Sequence, residues 1–189
     1  MAKELLKREE VKVEDTWDLT DMYESNEAWE EELNKIEALI TEIAGMEGTC
    51  LDTAKNLLTV LEKDAACAQK IELAYSYAER LFDQDQKNTK HQSMSAKIMS
   101  VYAKYAASTA FISPEIIAAS SELLEKYFKE VPELELYRKL IDEIIRMKPH
   151  RLSAEMEKLV ALTAEMRQGP SDTYSIFNNA DLTFPETED

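Results

Sequence analysis

The apolar positions of this chain step by three and four over long stretches. Trp29, Leu33, Ile36, Ile40 and Ile43 fall on one stripe, the spacing that puts side chains on a single face of a helix. Ser25 or Asn26 can cap the start of that helix, and Gly45 and Gly48 end it. A shorter helix is predicted from about Asp52, burying Leu57, Leu58 and Leu61. Asp64 is then expected to cap a separate, longer helix with Cys67, Ile71, Ala74, Ala78 and Leu81 on its apolar stripe. The polar run Asp83–Asn88 reads as a turn. The next stripe is His91, Met94, Ile98, Val101, Tyr105, Thr109 and Ile112. These elements alone make an up-and-down antiparallel bundle.

Beyond residue 112 the pattern breaks into shorter pieces. Ser113-Pro114-Glu115 predicts a helix start, with serine as N-cap and proline at the first helical position. Short helices are expected over Glu115–Ala119 and Ser121–Glu130. Pro132 opens a longer one that turns Tyr137, Leu140, Ile141, Ile144 and Ile145 inward, and Pro149 ends it. Ser153 caps a helix with Met156, Leu159, Val160, Thr163 and Met166 on its stripe, stopped by Gly169-Pro170. Ser171 then caps one last short helix, and Leu182–Pro185 reads as extended chain. The predicted fold class is all-α: an antiparallel helical bundle, then a smaller helical lobe and a short extended C-terminal segment.

Composition agrees with nearly all helix. Only 3 Gly and 5 Pro punctuate 189 residues, and 44% of them are hydrophobic, too apolar for a disordered chain. The net charge is −16, which disfavours nucleic acid and anionic membranes and favours basic partners. The excess is steepest from Glu14 to Glu42, where eleven acidic residues face Lys35 alone. Much of that run reads as a solvated helix face. The first residues lack the apolar core of a signal peptide, and no apolar run approaches the ~20 residues that span a bilayer. A cytoplasmic location is expected.

No catalytic, cofactor-binding or metal-ligating residue stands out. Zinc peptidases need two imidazoles one helical turn apart with a carboxylate between them. His91 and His150 are the two histidines, and neither has a histidine four residues away. His91 reads as a helix-boundary residue and His150 as a loop or capping residue. Cys50 and Cys67 suit neither a zinc knuckle nor a redox motif, and Cys67 reads as a buried thiol. The eight tyrosines and eight methionines read mostly as core packing.

Four strings nevertheless carry a family likeness. They are Asp15-Thr16-Trp17-Asp18-Leu19-Thr20-Asp21-Met22-Tyr23, Phe111-Ile112-Ser113-Pro114-Glu115-Ile116, Lys148-Pro149-His150-Arg151-Leu152-Ser153-Ala154-Glu155, and the run Tyr174–Pro185 with its Phe-Asn-Asn-Ala-Asp-Leu-Thr-Phe. In this order and at these intervals they resemble the N-terminal helical region of oligoendopeptidase F, a thimet-oligopeptidase-like zinc metallopeptidase family. The resemblance implies cytoplasmic enzymes that cleave oligopeptides in a channel between helical lobes. It also implies a zinc site, built on a His-Glu-x-x-His helix, that follows the last of these strings. On that reading residues 1–112 are an N-terminal bundle, 113–182 a second helical lobe, and 183–189 a lead-in to the catalytic domain. The chain would be a wall of the substrate channel, inert by itself, without zinc, and prone to dimerise through residues 171–189 or to leave them disordered. Two other readings compete. One is a stand-alone acidic helical module that binds peptides or basic partners. The other, a nucleic-acid mimic, has only the charge behind it.

Overall fold

The computed structural model describes residues 10–85, 88–150, 156, 159–160 and 163–178. Among them no strand occurs, and the fold is all-α. The described residues divide into two compact units, one running to Arg146 and one starting at Met147.

The first unit is built on three long helices, α1 (Asn26–Ala44), α2 (Ala54–Gln84) and α3 (Thr89–Thr109). Ser25 caps α1 by accepting the Ala28 N–H, and Gly48 takes a left-handed φ of 78° in the loop that follows, a conformation cheap only for glycine. All five residues of the α1 stripe are buried. The indole N–H of Trp29 donates to the Ala74 carbonyl at 2.9 Å, and the Tyr77 hydroxyl donates to Asn26 at 3.0 Å. The start of α1 therefore lies by the end of α2, and the two run antiparallel. Ser95 in α3 donates to Glu79 in α2, and Tyr105 donates to Asp64, so α3 reverses direction again.

Helix α2 is continuous over 31 residues, which corrects the break expected at Asp64. Thr53 provides the cap by accepting the Asn56 N–H. No glycine or proline interrupts the run, and the Asp64 carboxylate takes its proton donor from Tyr105 across the bundle instead of from its own backbone. Three smaller helices complete the unit: α4 (Ile112–Ala118), α5 (Ser121–Glu130) and α6 (Arg138–Arg146). Ser113 is not the N-cap of α4, contrary to expectation. The helix begins two residues earlier, at Ile112, after Phe111 in helical conformation and with no side-chain cap. Pro114 becomes its third residue, still within the turn whose N–H groups have no helical acceptor.

Pro132 opens a 3-10 segment, Pro132–Tyr137, and α6 follows it. The tighter winding buries Leu134 and leaves Leu140 exposed, so the inward face differs from the predicted one while Ile141 remains at its centre. Arg138 holds the joint. Its guanidinium lies 3.8 Å from the Phe128 ring centroid and bonds Glu125 and Glu135. Ile112, Ile116, Leu124, Tyr127, Phe128, Leu134 and Ile141 join the same core as the three long helices. The junction placed at 112/113 thus separates two stretches that share one interior.

The second unit contains a 3-10 turn, Lys148–His150, and helix α7 (Ala164–Ile176). Helix α7 runs straight through Gly169-Pro170, which corrects the predicted stop and makes Ser171 an interior residue rather than a cap. A proline forgoes one bond to the preceding turn but leaves the residues after it free to continue. Here Thr173 adds a hydroxyl bond to the Gly169 carbonyl. The stripe Met156, Leu159, Val160 and Met166 is exposed, against the expectation of a core face. Ser153 and Leu182–Pro185 lie outside the described residues.

Candidate functional site

The acidic run on α1 is not bare. Lys63 and Lys70 from α2 pair with Glu42 and Glu32. From α3, Lys90, Lys97 and Lys104 reach Glu27 at 3.9 Å, Glu30 at 3.3 Å and Glu37 at 2.5 Å. The lysines recur every seven residues on each helix, which keeps them in one row facing α1. Hydrogen bonding from Lys70 is the largest cause holding the Glu32 carboxyl below its ordinary range. These carboxylates are engaged within the bundle, so most of the acidic face of α1 is part of its own packing.

The described residues do not fit a zinc site. His91 lies in the first turn of α3, with Nε2 at 3.4 Å from the Asn88 amide and Nδ1 buried without a partner. His150 ends the 3-10 turn of the second unit, exposed, its N–H donating to the Met147 carbonyl. Among the described residues no group of three His, Cys, Asp or Glu is placed to hold a metal ion. Both cysteines are buried and free. Burial pushes the Cys50 thiol up to about 12 and the Cys67 thiol up to about 11, so neither offers the thiolate that ligation or nucleophilic attack needs.

The surface feature with recognisable chemistry is a groove of about 590 Å³ between α2 and α3, lined by Ala68, Ile71, Glu72, Tyr75, Met99, Tyr102 and Tyr105. Met99 and Tyr102 are each about half exposed, at 50% and 51%. Tyr102 and Tyr105 stack obliquely, with ring centroids 6.4 Å apart. The Tyr105 hydroxyl donates to Asp64 at 2.7 Å. Burial, reinforced by that carboxylate, raises its pKa well above the usual tyrosine value. Reading tyrosine and methionine as core missed this groove. The signal was present, because Tyr75, Met99 and Tyr102 each follow a stripe residue (Ala74, Ile98, Val101) by one position. That rotates them about 100° off the buried face.

Among the described residues no helix is long and apolar enough to cross a membrane. A family model described as oligopeptidase F matches residues 115–184. The oligopeptidase PepF of Bacillus subtilis is 36% identical over 188 residues, covering 100% of this chain and 28% of that protein. The plasmid-encoded oligoendopeptidase F of Lactococcus lactis subsp. cremoris is 35% identical over 179 residues, covering 94% of this chain and 30% of the relative. The crystal structure of oligoendopeptidase-F from Enterococcus faecium superposes with a TM-score of 0.70 at 34% identity, over 87% of this chain and 32% of that one. This chain spans less than a third of the length of the curated relatives it matches. Along its whole length, it is a homologue of a helical portion of the oligoendopeptidase F family.

Proposed function

We propose that this chain forms the N-terminal wall of the substrate channel in a cytoplasmic oligoendopeptidase F-type zinc peptidase. It shapes access for oligopeptides and contributes no catalytic or metal-binding group. The observation that carries this reading is the end-to-end match to oligopeptidase PepF over only 28% of its length. The absence of a fitting metal cluster among the described residues is consistent with chemistry supplied by the remainder of such a protein. A rigid all-α unit with one shared core suits a wall that excludes bulky substrates by size.

Two measurements test this. The 189-residue chain should bind far less than one zinc per molecule and cleave no peptide. Stoichiometric tight zinc or metal-dependent cleavage overturns the reading. In the second, this chain replaces the matching segment of a full-length relative, and the chimera should cleave short peptides while sparing folded proteins. Weakening the segment should relax that size limit, and a limit indifferent to the segment sinks the channel-wall role. Tyr174 and Phe177, exposed on the second unit, form part of an apolar surface through which the chain would self-associate on its own. Light scattering before and after removal of residues 171–189 reports it, and an unchanged mass excludes it.

A further inference from the structure

The α2/α3 pair has two sides of opposite character. Toward α1 it presents the row Lys63, Lys70, Lys90, Lys97 and Lys104, each engaged with a glutamate. Glu72 and Met99 follow Lys70 and Lys97 by two residues, about 200° around the helix. Met99 therefore looks away from α1, into the groove, while Glu72 stands at the groove's edge and also borders the neighbouring pocket that holds Lys70 and Glu32. Among the described residues no lysine or arginine lines that groove, and Glu72 is the single charged residue of that lining. Glu72 is exposed, and no ion pair reaches it among the described residues. The lining is apolar in chemically specific ways. Ile71 is buried beneath, Met99 is flexible and polarisable, and Tyr75 and Tyr102 are rigid amphipathic rings.

We infer that this groove docks an oligopeptide through one aromatic or long aliphatic side chain, with an adjacent lysine or arginine of the peptide held by Glu72. The groove's size decides between a peptide and a second protein. A cavity of about 590 Å³ with seven lining residues accommodates one or two side chains. A stable protein interface needs about 20–30 residues from each side. Charge decides which peptide. With the row lysines paired to glutamates of α1, Glu72 at the groove and a net charge of −16, the groove favours a cation over an anion. Tyr105 fixes the far end, because its hydroxyl is already committed to Asp64. The inference rests on the peptidase reading only for its choice of a peptide as occupant.

The test titrates three fluorescently labelled pentapeptides into the 189-residue chain: Gly-Gly-Phe-Arg-Gly, Gly-Gly-Phe-Glu-Gly and Gly-Gly-Ala-Arg-Gly. The Phe-Arg peptide should bind best, and each of the others should be weaker by about fivefold or more. Glu72→Gln should erase most of the difference between the Arg and Glu peptides. Tyr102→Ala should weaken the Phe-Arg peptide without altering that ratio. Both positions are exposed, so the fold should survive, and circular dichroism melts check that it does. Equal binding of all three peptides, no binding at millimolar concentration, or indifference to both substitutions overturns the proposal. Failure of the channel-wall reading shows separately, as a chimeric peptidase whose size limit ignores this segment.

Discussion

Helix α1 and the stripe from Met156 to Met166 are written in the same code, with apolar residues spaced by three and four, yet they end in opposite environments. Trp29, Leu33, Ile36, Ile40 and Ile43 are all at most 5% exposed, whereas Met166 is 79% exposed. Periodicity states that a helix can form and which face is apolar. Burial needs a second element to close over that face. For α1 the closing elements are α2 and α3, aligned by polar bonds at both ends and a row of lysines along the flank. No buried hydrophobic side chain is recorded among the described residues after Arg146.

The sharpest way to break this comparison is to delete the same volume from each stripe. Ile36→Ala should destabilise by about 2–5 kcal/mol, since its side chain is fully enclosed. Met166→Ala should stay within about 0.5 kcal/mol. Thermal or urea melts measure both, and equal shifts would mean that burial does not separate the two regions. A second, smaller effect sharpens what aligns the bundle. Tyr105→Phe should cost about 1–2 kcal/mol through loss of the bond to Asp64. The pKa of Tyr105 is raised in the fold. Its contribution is therefore full below the unfolded value of about 10 and lost as pH climbs through the folded value. The wild type should lose stability above about pH 10 more steeply than Tyr105→Phe, as read by melts across pH. The smallest effect belongs to the flank. Lys70→Met should cost less than about 1 kcal/mol because the pair is partly exposed. The lowered carboxyl of Glu32 contributes above its ordinary range and fades as pH falls through its depressed value. The Lys70→Met penalty should therefore vanish in acid and shrink in high salt; a penalty unchanged in both would assign it to packing of the lysine stem.

What the sequence disclosed follows the same division. The α1 stripe, its Ser25 cap and the glycines that end it were legible because local spacing and chemistry agree. The continuity of α2 was not, because Asp64 carries the signature of a cap and finds its donor in Tyr105, 41 residues away. The 3-10 winding of Pro132–Tyr137 was hidden too. It exchanges Leu140 for Leu134 in the core, and the Arg138 contacts that support it join Glu125, Phe128 and Glu135 across the joint. The groove was half legible. Its tyrosines and methionine were visible one step off the buried stripe, but a one-residue offset does not say whether another helix will cover them.

The loop between α1 and α2 carries one more consequence. Gly48 donates its N–H to the Glu115 carboxylate at 2.6 Å, and the Leu51 carbonyl accepts from the Tyr127 hydroxyl, also at 2.6 Å. The residues joined are 67 and 76 positions apart, so these ties form only after the chain has passed through α2 and α3 and returned. Closing so long a span is slow compared with winding the helices it bridges. The loop is thus a clasp fastened late in folding, and the Gly48 amide reports whether it is shut. In hydrogen exchange that amide should resist solvent for as long as α4 stays in place, and its release should mark the opening of α4 while α1, α2 and α3 remain folded.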